Sequence, residues 1–347
     1  MADMAATAVA QRPTEALWLA PLPSGVPPER KPARPSRQSA TGELSGLAGA
    51  VTDMALSRDG RVLVAAHYGA DAVSLIDTAT LTLTGVTRGV PEPAALAVAD
   101  RAYVGSAAVA DDSVVAVDLG TGVALAAKEV GATARGLALS PAGDTLYVSR
   151  CADSTDHGVD GADIAVIAVE SGRTATIPLA RGSEASVGVV RADAHGARLH
   201  AALTTAAGAA VAVVDTRSRR VLRTIAVRGS LSDIAVERSR VIAAGWDPVR
   251  GGTVTFIDAA AGRVVTTVAV GGQPTQVVCV GDRAYVGSDQ TVTVIDVTTA
   301  RIVDSVGFDR SLSCIAVSPD QTVLYAADYD GGLTATALAG SRLRAAS

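Results

Sequence analysis

The sequence predicts an all-β fold, because one short sequence motif recurs along most of its 347 residues. Each copy is a run of mainly β-branched residues that ends at an acidic turn residue, as in residues 292–299. The acidic turn residues are at positions 77, 118, 170, 215, 258 and 296. A degenerate seventh copy, which lacks the acid, ends at position 337. Repeats of about 40 residues made of short strands are typical of β-propellers. We therefore predict a seven-bladed β-propeller of four-stranded antiparallel blades.

The predicted blades begin near residues 51, 93, 134, 186, 232, 275 and 313. Residues 42–49 resemble the short segment that precedes each later blade, such as residues 265–272, although no complete blade comes before residue 42. We expect this segment to be an outer strand donated to the last blade, which would close the ring between the two ends of the propeller.

The chain divides by composition into a propeller, residues 41–340, and two tails. Residues 1–40 hold half of the 14 prolines, and proline disfavours both helix and interior strand, so we expect a disordered tail. Within this tail, an apolar island at residues 17–23 and a basic run at residues 30–37 are candidate docking motifs. Residues 341–347 are expected to be a frayed C-terminal tail.

Composition narrows the function classes. The net charge is −5, which disfavours nucleic-acid binding, where a basic face is the usual footprint. No run of 18 apolar residues is present, so no membrane span is expected. The N-terminus lacks the pattern of a signal peptide, and the three cysteines do not make a disulfide framework. These features favour the cytoplasm, with export by a specialised route left open.

The repeats resemble the YVTN-type seven-bladed propellers, a bacterial group with WD-repeat-like blades. The Tyr element of that pattern stands at residues 285–288, the Gly-Pro element at residues 268–274, and the Ser-Pro-Asp turn at residues 318–321. The Thr-Asn half of the name motif is missing from every blade. The resemblance implies the fold and leaves the function open, because these residues build blades. Residues 246 and 247 form a Trp-Asp pair after a second strand, which is not the place of a WD repeat.

Function is expected on the face that carries the loops from second to third strands and from outer to inner strands. Loops on a rigid scaffold carry binding sites, and aromatic and Arg side chains dominate binding hot spots. Our leading interpretation is a non-enzymatic platform for a protein or peptide partner, with no cofactor; the sequence does not indicate an oligomeric state. The predicted binding residues are Tyr68, Arg135, Arg150, Trp246, Arg250, Arg310 and Tyr329.

An alternative interpretation places a small-ligand site or a lactonase-like hydrolase at the mouth of the tunnel. Its candidate residues are Asp53, His67 and Asp233. No Gly-x-Ser-x-Gly elbow, phosphate-binding glycine loop or haem motif supports an enzyme. His195 and His200 are expected to be structural or merely exposed. A third alternative assigns partner docking to residues 1–40 and leaves the propeller passive.

The segment 151–163 is the densest cluster of potential metal ligands. It is interpreted either as an acidic, flexible surface loop or as a site for a divalent cation, because carboxylates suit calcium or magnesium and an added imidazole would admit zinc. The candidate ligands are Asp153, Asp156, His157, Asp160 and Asp163.

Overall fold

The computed structural model describes residues 40–108, 112–151, 161–182 and 184–338. These residues form 28 strands in seven four-stranded antiparallel sheets, as the repeats predict. The two predicted tails lie outside the described residues, except for the first residue of strand β1. In the part of the chain that is described, no helix is long and apolar enough to cross a membrane.

The first three blades follow one another along the chain, each from inner to outer strand. Blade 1 consists of β2 (Asp53–Leu56), β3 (Val62–His67), β4 (Ala72–Asp77) and β5 (Thr82–Arg88). Blade 2 consists of β6 (Pro93–Val98), β7 (Arg101–Ser106), β8 (Ser113–Asp118) and β9 (Ala124–Glu129). Blade 3 consists of β10 (Thr133–Leu139), β11 (Thr145–Cys151), β12 (Ala162–Ala168) and β13 (Thr174–Ala180).

The next three blades have the same order. Blade 4 consists of β14 (Ser186–Ala192), β15 (Arg198–Thr205), β16 (Gly208–Asp215) and β17 (Arg220–Ala226). Blade 5 consists of β18 (Ser230–Glu237), β19 (Arg240–Asp247), β20 (Gly251–Asp258) and β21 (Arg263–Ala269). Blade 6 consists of β22 (Pro274–Val280), β23 (Arg283–Ser288), β24 (Thr291–Asp296) and β25 (Arg301–Gly307).

Blade 7 takes strands from both ends of the propeller. Its strands are β26 (Leu312–Val317), β27 (Val323–Asp328), β28 (Leu333–Ala337) and β1 (Ala40–Leu44). Strand β1 runs antiparallel to β28, with Leu44 opposite Leu333, and is the outer strand of the sheet. The predicted closure of the ring by a donated N-terminal strand is confirmed, but the strand ends at Leu44 and does not extend over the whole of residues 42–49.

The core lies between neighbouring blades, because strand side chains alternate between the two faces of each sheet. In β20, Ile257 packs on blade 4 against Val211 and Val213, whereas Phe256 packs on blade 6 against Val286 and Ile295. Both faces of the second and third strands are therefore buried, which explains their nearly continuous runs of Val, Ile and Ala.

The acid that marks each repeat is a turn former. The carboxylate of Asp258 accepts a hydrogen bond from the backbone N of Ala261 at 2.8 Å, and Asp296 accepts one from Thr299 at the same distance. Hydrogen bonds from Thr80 likewise hold the pKa of Asp77 below its usual value. At these positions the recurring acid therefore shapes the turn between third and outer strands.

Candidate functional site

The propeller has two faces, which we name by their connections. The loop face carries the loops between second and third strands and between outer and inner strands. The turn face carries the tighter turns between the remaining strands. The central tunnel joins the two faces and is lined by the seven inner strands.

All exposed aromatic side chains of the described residues lie on the loop face. They are Tyr68, Trp246 and Tyr329, with 42%, 43% and 58% of their surface exposed. Tyr68 opens a short 3₁₀ turn after β3, Trp246 lies at the end of β19, and Tyr329 follows β27. The predicted concentration of aromatic residues on this face is therefore present in the structure.

Polar contacts hold the surroundings of two of the exposed rings, those of Tyr68 and Trp246. The hydroxyl of Tyr68 donates to Glu92 Oε2 at 2.8 Å. Beside Trp246, the buried carboxylate of Asp247 pairs with Arg228 at 2.9 Å and accepts from the backbone N of Arg250 at 3.0 Å. These contacts give the loops a defined conformation before any partner binds.

The arginines predicted for this face have different environments. Arg135 and Arg250 are exposed, and Arg310 forms an ion pair with Asp330 at 3.0 Å. Arg150 is buried, so its predicted place on a binding surface is corrected. Its guanidinium donates two hydrogen bonds of 2.8 Å to Asp163 on the adjacent strand and a further one to the carbonyl of Val130.

This buried pair also uses the one described member of the predicted metal site. Both carboxylate oxygens of Asp163 accept hydrogen bonds from Arg150, so the negative charge of this carboxylate is already paired with the guanidinium. The other four candidate ligands, Asp153, Asp156, His157 and Asp160, lie outside the described residues. Within the described ranges, no group of three or more His, Cys, Asp or Glu side chains could hold a metal ion.

His67 is fully buried and does not line the tunnel, which corrects the sequence-based assignment. Its ring nitrogens lie 3.0 Å from the carbonyl oxygen of Gly49 and 2.8 Å from Ser74 Oγ. Burial lowers the pKa of the imidazole. The neutral ring therefore connects the chain before blade 1 to two strands of that blade.

Asp53 and Asp233 do lie in the tunnel, at the same register position of their inner strands. Asp53 accepts from the backbone N of Leu96 in blade 2 at 2.8 Å, and Asp233 accepts from the backbone N of Val277 in blade 6 at 2.8 Å. Gln276, at the same position of blade 6, accepts from the backbone N of blade 7. In these three blades the side chain thus connects to the next blade around the ring.

Arg191 lies between the two tunnel acids. Its Nη2 donates to Asp233 Oδ1 at 3.1 Å, and its charge lowers the pKa of both Asp53 and Asp233. Burial acts more strongly in the opposite direction and raises the pKa of Asp53 to about 6. It also raises the pKa of Asp233. At the waist of the tunnel, Arg191 therefore acts on both acids, and Arg135 lines a small cavity with them.

Two cavities meet at this waist. A cavity of about 570 Å³ extends toward the turn face, and one of about 160 Å³ extends toward the loop face. Asp53, Arg191 and Gln276 line both. Arg191 and Gln276 were not predicted from the sequence as tunnel residues. The available signal was a charged residue inside the otherwise apolar inner strand at 187–192, where the other inner strands have Ala or Val.

Comparisons with known proteins agree with this fold. No family model matches the chain, so membership of the YVTN-type family stays a prediction. The seven-bladed beta-propeller protein Rv1057 of Mycobacterium tuberculosis is 29% identical over 343 residues, which cover 87% of this chain and 86% of that protein. A solved chain of Kuenenia stuttgartiensis hydrazine synthase has a TM-score of 0.73 at 22% identity, covering 84% of this chain and 96% of that chain; this likeness shows the fold alone. By its strands, the chain is a seven-bladed β-propeller, the fold that the name of the Mycobacterium tuberculosis relative also gives.

Proposed function

We propose that this propeller is a non-enzymatic binding platform that holds a protein or peptide partner on its loop face. The observation that supports the proposal is the confinement of all exposed aromatic side chains of the described residues, Tyr68, Trp246 and Tyr329, to this one face. Tyr and Trp offer a large apolar surface with few rotatable bonds, so they bind partners at a small loss of side-chain entropy. The partner would be met in the cytoplasm, the compartment that the sequence favours.

The surroundings of the rings suit a partner with both apolar and charged groups. Trp246 lies over the backbone of its own hairpin, where a Cβ added at Gly251 would be 3.6 Å from its Cη2 atom. Around the rings, Arg228 and Arg310 alternate with Asp247 and Asp330. Aromatic anchors within a rim of charged pairs are the usual composition of a protein interface.

The test removes two anchors and compares capture of partners from the native cell lysate. We expect the double variant Trp246→Ala and Tyr329→Ala to lose partners that the wild type retains. A hot-spot side chain contributes about 2 kcal/mol or more, which corresponds to about 30-fold in affinity for each substitution. Thermal melting of each variant checks that the fold is intact.

The matched control is Leu222→Ala with Val303→Ala, which removes exposed apolar side chains from the outer strands β17 and β25, where 47% and 50% of each side chain is exposed. This control is expected to recover the same partners as the wild type. Equal recovery by the loop-face variant would overturn the proposal. Loss of all partners after deletion of residues 1–39 alone would instead assign docking to the N-terminal segment.

A further inference from the structure

We propose that the central tunnel, independently of the loop face, binds a small neutral molecule with an apolar body and one head group that both donates and accepts hydrogen bonds, as a carboxamide does. The head group would lie at the waist of the tunnel, against Asp53, Arg191 and Gln276. The apolar body would fill the larger cavity on the side of the turn face.

The larger cavity has the size of a ligand site. Its volume of about 570 Å³ is within the range of pockets that enclose small molecules. At one register position of the inner strands, every blade except blade 4 carries a small apolar residue that lines the cavity. These residues are Ala55, Ala97, Ala138, Ala235, Val278 and Ala316. Small apolar side chains at this level keep the tunnel open beside the polar backbone edges of the inner strands, and they can contact an apolar body.

Blade 4 carries Arg191 at that position, and its guanidinium has donors to spare. Nη1 donates to the carbonyl of Val190 at 3.1 Å and Nη2 donates to Asp233 at 3.1 Å. A guanidinium has five N–H donors, so three remain without a partner among the described residues. The side chain is 33% exposed, and it is exposed into the tunnel.

The same wall offers an acceptor and a further donor. Asp53 lines the cavity and accepts from the backbone N of Met54 and of Leu96, each at 2.8 Å, and a carboxylate has capacity for more than two hydrogen bonds. Gln276 Oε1 is occupied by the backbone N of Ile315 at 2.6 Å, whereas its Nε2 has only a long contact of 3.5 Å with Asp53. Donors of Arg191 and Gln276 therefore lie beside an acceptor of Asp53, which matches a head group with both functions.

The charges at the waist favour a neutral ligand. Arg191 and Asp233 form an ion pair, and Asp53 and Arg135 line the same cavity. An anionic head group would meet two carboxylates, and a cationic one would meet two guanidinium groups, in a place where charges are poorly solvated. The raised pKa of Asp53 shows that this wall already disfavours one unneutralised charge. A neutral amide avoids both penalties and can still make the hydrogen bonds.

The larger cavity opens toward the turn face. The mouth there is bordered by Arg58, whose Nη2 donates to the carbonyl of Pro141 at 2.8 Å across the end of blade 2. The cavity on the loop-face side is smaller, about 160 Å³, and is lined by hydroxyl side chains such as Thr52 and Thr275. The body of the ligand therefore lies away from Trp246 and Tyr329, so the two proposals can fail separately.

The test uses full-length protein and three probes with the same body: 4-butylbenzamide, 4-butylbenzoate and 4-butylbenzylamine. Calorimetry and saturation-transfer NMR are expected to show binding of the amide at sub-millimolar concentration. The charged analogues are expected to bind at least tenfold more weakly. Arg191→Gln should weaken binding of the amide at least tenfold, and Ala55→Leu should weaken it by narrowing the tunnel.

The loop-face variant Trp246→Ala with Tyr329→Ala is expected to bind the amide as the wild type does. If Arg191→Gln fails to fold, Ala55→Leu decides whether the tunnel is the site. Absence of amide binding at millimolar concentration would overturn the proposal. So would tighter binding of either charged probe, or unchanged binding in Ala55→Leu.

Discussion

Substitution of His200 by leucine is expected to stabilise the protein, and more strongly in acid. His200 lies in β15, 3% exposed, and its Nδ1 has no hydrogen-bond partner among the described residues. At the same register position, blades 1 and 5 have the apolar residues Val64 and Ile242, so the fold accepts an apolar side chain there. Leucine has a volume close to that of histidine and leaves no unpaired nitrogen.

The size of the effect follows from the buried imidazole. Burial lowers the pKa of His200 from 6.5 to about 4. Between these values the unfolded chain binds a proton that the folded chain does not, so the wild type loses about 1.4 kcal/mol of stability for each pH unit of acidification. From pH 7.5 to pH 5 the loss amounts to about 2 kcal/mol. The unpaired Nδ1 adds about 1 kcal/mol at every pH.

The assay is urea unfolding of wild type and His200→Leu at pH 7.5, 6 and 5. We expect the variant to be more stable by about 1 kcal/mol at pH 7.5 and by about 3 kcal/mol at pH 5. The difference between the two proteins removes the contributions of all other titrating groups. His195→Gln, at an exposed turn of the same blade, is the control and should track the wild type. A stability difference that does not change with pH would refute the reasoning.

Three further predictions concern the tunnel, the buried ion pair and the closing strand. The pKa of Asp53 is raised to about 6 in the folded protein, so the folded state binds a proton that the unfolded chain has released. As the pH rises from 4 to 7, the free energy of unfolding of the wild type should therefore fall by about 2–3 kcal/mol relative to that of Asp53→Asn; urea unfolding that gives the same pH dependence for both proteins would contradict this. Arg150→Leu should destabilise the fold by about 3–5 kcal/mol, because it leaves the carboxylate of Asp163 buried without a partner. Adding Asp163→Leu should restore most of the lost stability in thermal melts; a double variant whose loss equals the sum of the two single losses would contradict this. Deletion of residues 1–44 should lower the melting temperature well below that of a deletion of residues 1–39, because only the longer one removes β1; calorimetry that finds equal values would disprove the role of this strand.

The sequence predicted the blades and their closure because these depend on local patterns. A run of apolar residues that ends at an acid marks the end of a third strand. Asp258 and Asp296, for example, are the last residues of β20 and β24. Side-chain environments depended on contacts between distant residues. Arg150 becomes buried because the register of β11 and β12 places it opposite Asp163, across a connection that the sequence presents as an acidic loop. His67 is buried because a carbonyl from before blade 1 reaches its ring.

Candidate tunnel residues were only partly predictable for the same reason. Asp53 and Asp233 were identified because they occupy equivalent places near the start of two predicted inner strands. Arg191 acts at the waist because it pairs with Asp233 in the next blade, 42 positions along the chain. Nothing local to blade 4 specifies that contact beyond the presence of a charge in an apolar strand.

Pairing of β1 with β28 has a consequence for synthesis of the chain. About 290 residues separate Leu44 from its partner Leu333. At the usual rates of translation, about 5–20 residues per second, β1 is complete roughly 15–60 seconds before its partner strand exists. During that interval the growing ring has open strand edges, which are templates for aggregation. The segment that completes the finished propeller is thus the one that must wait longest, on the ribosome, for its place in a sheet.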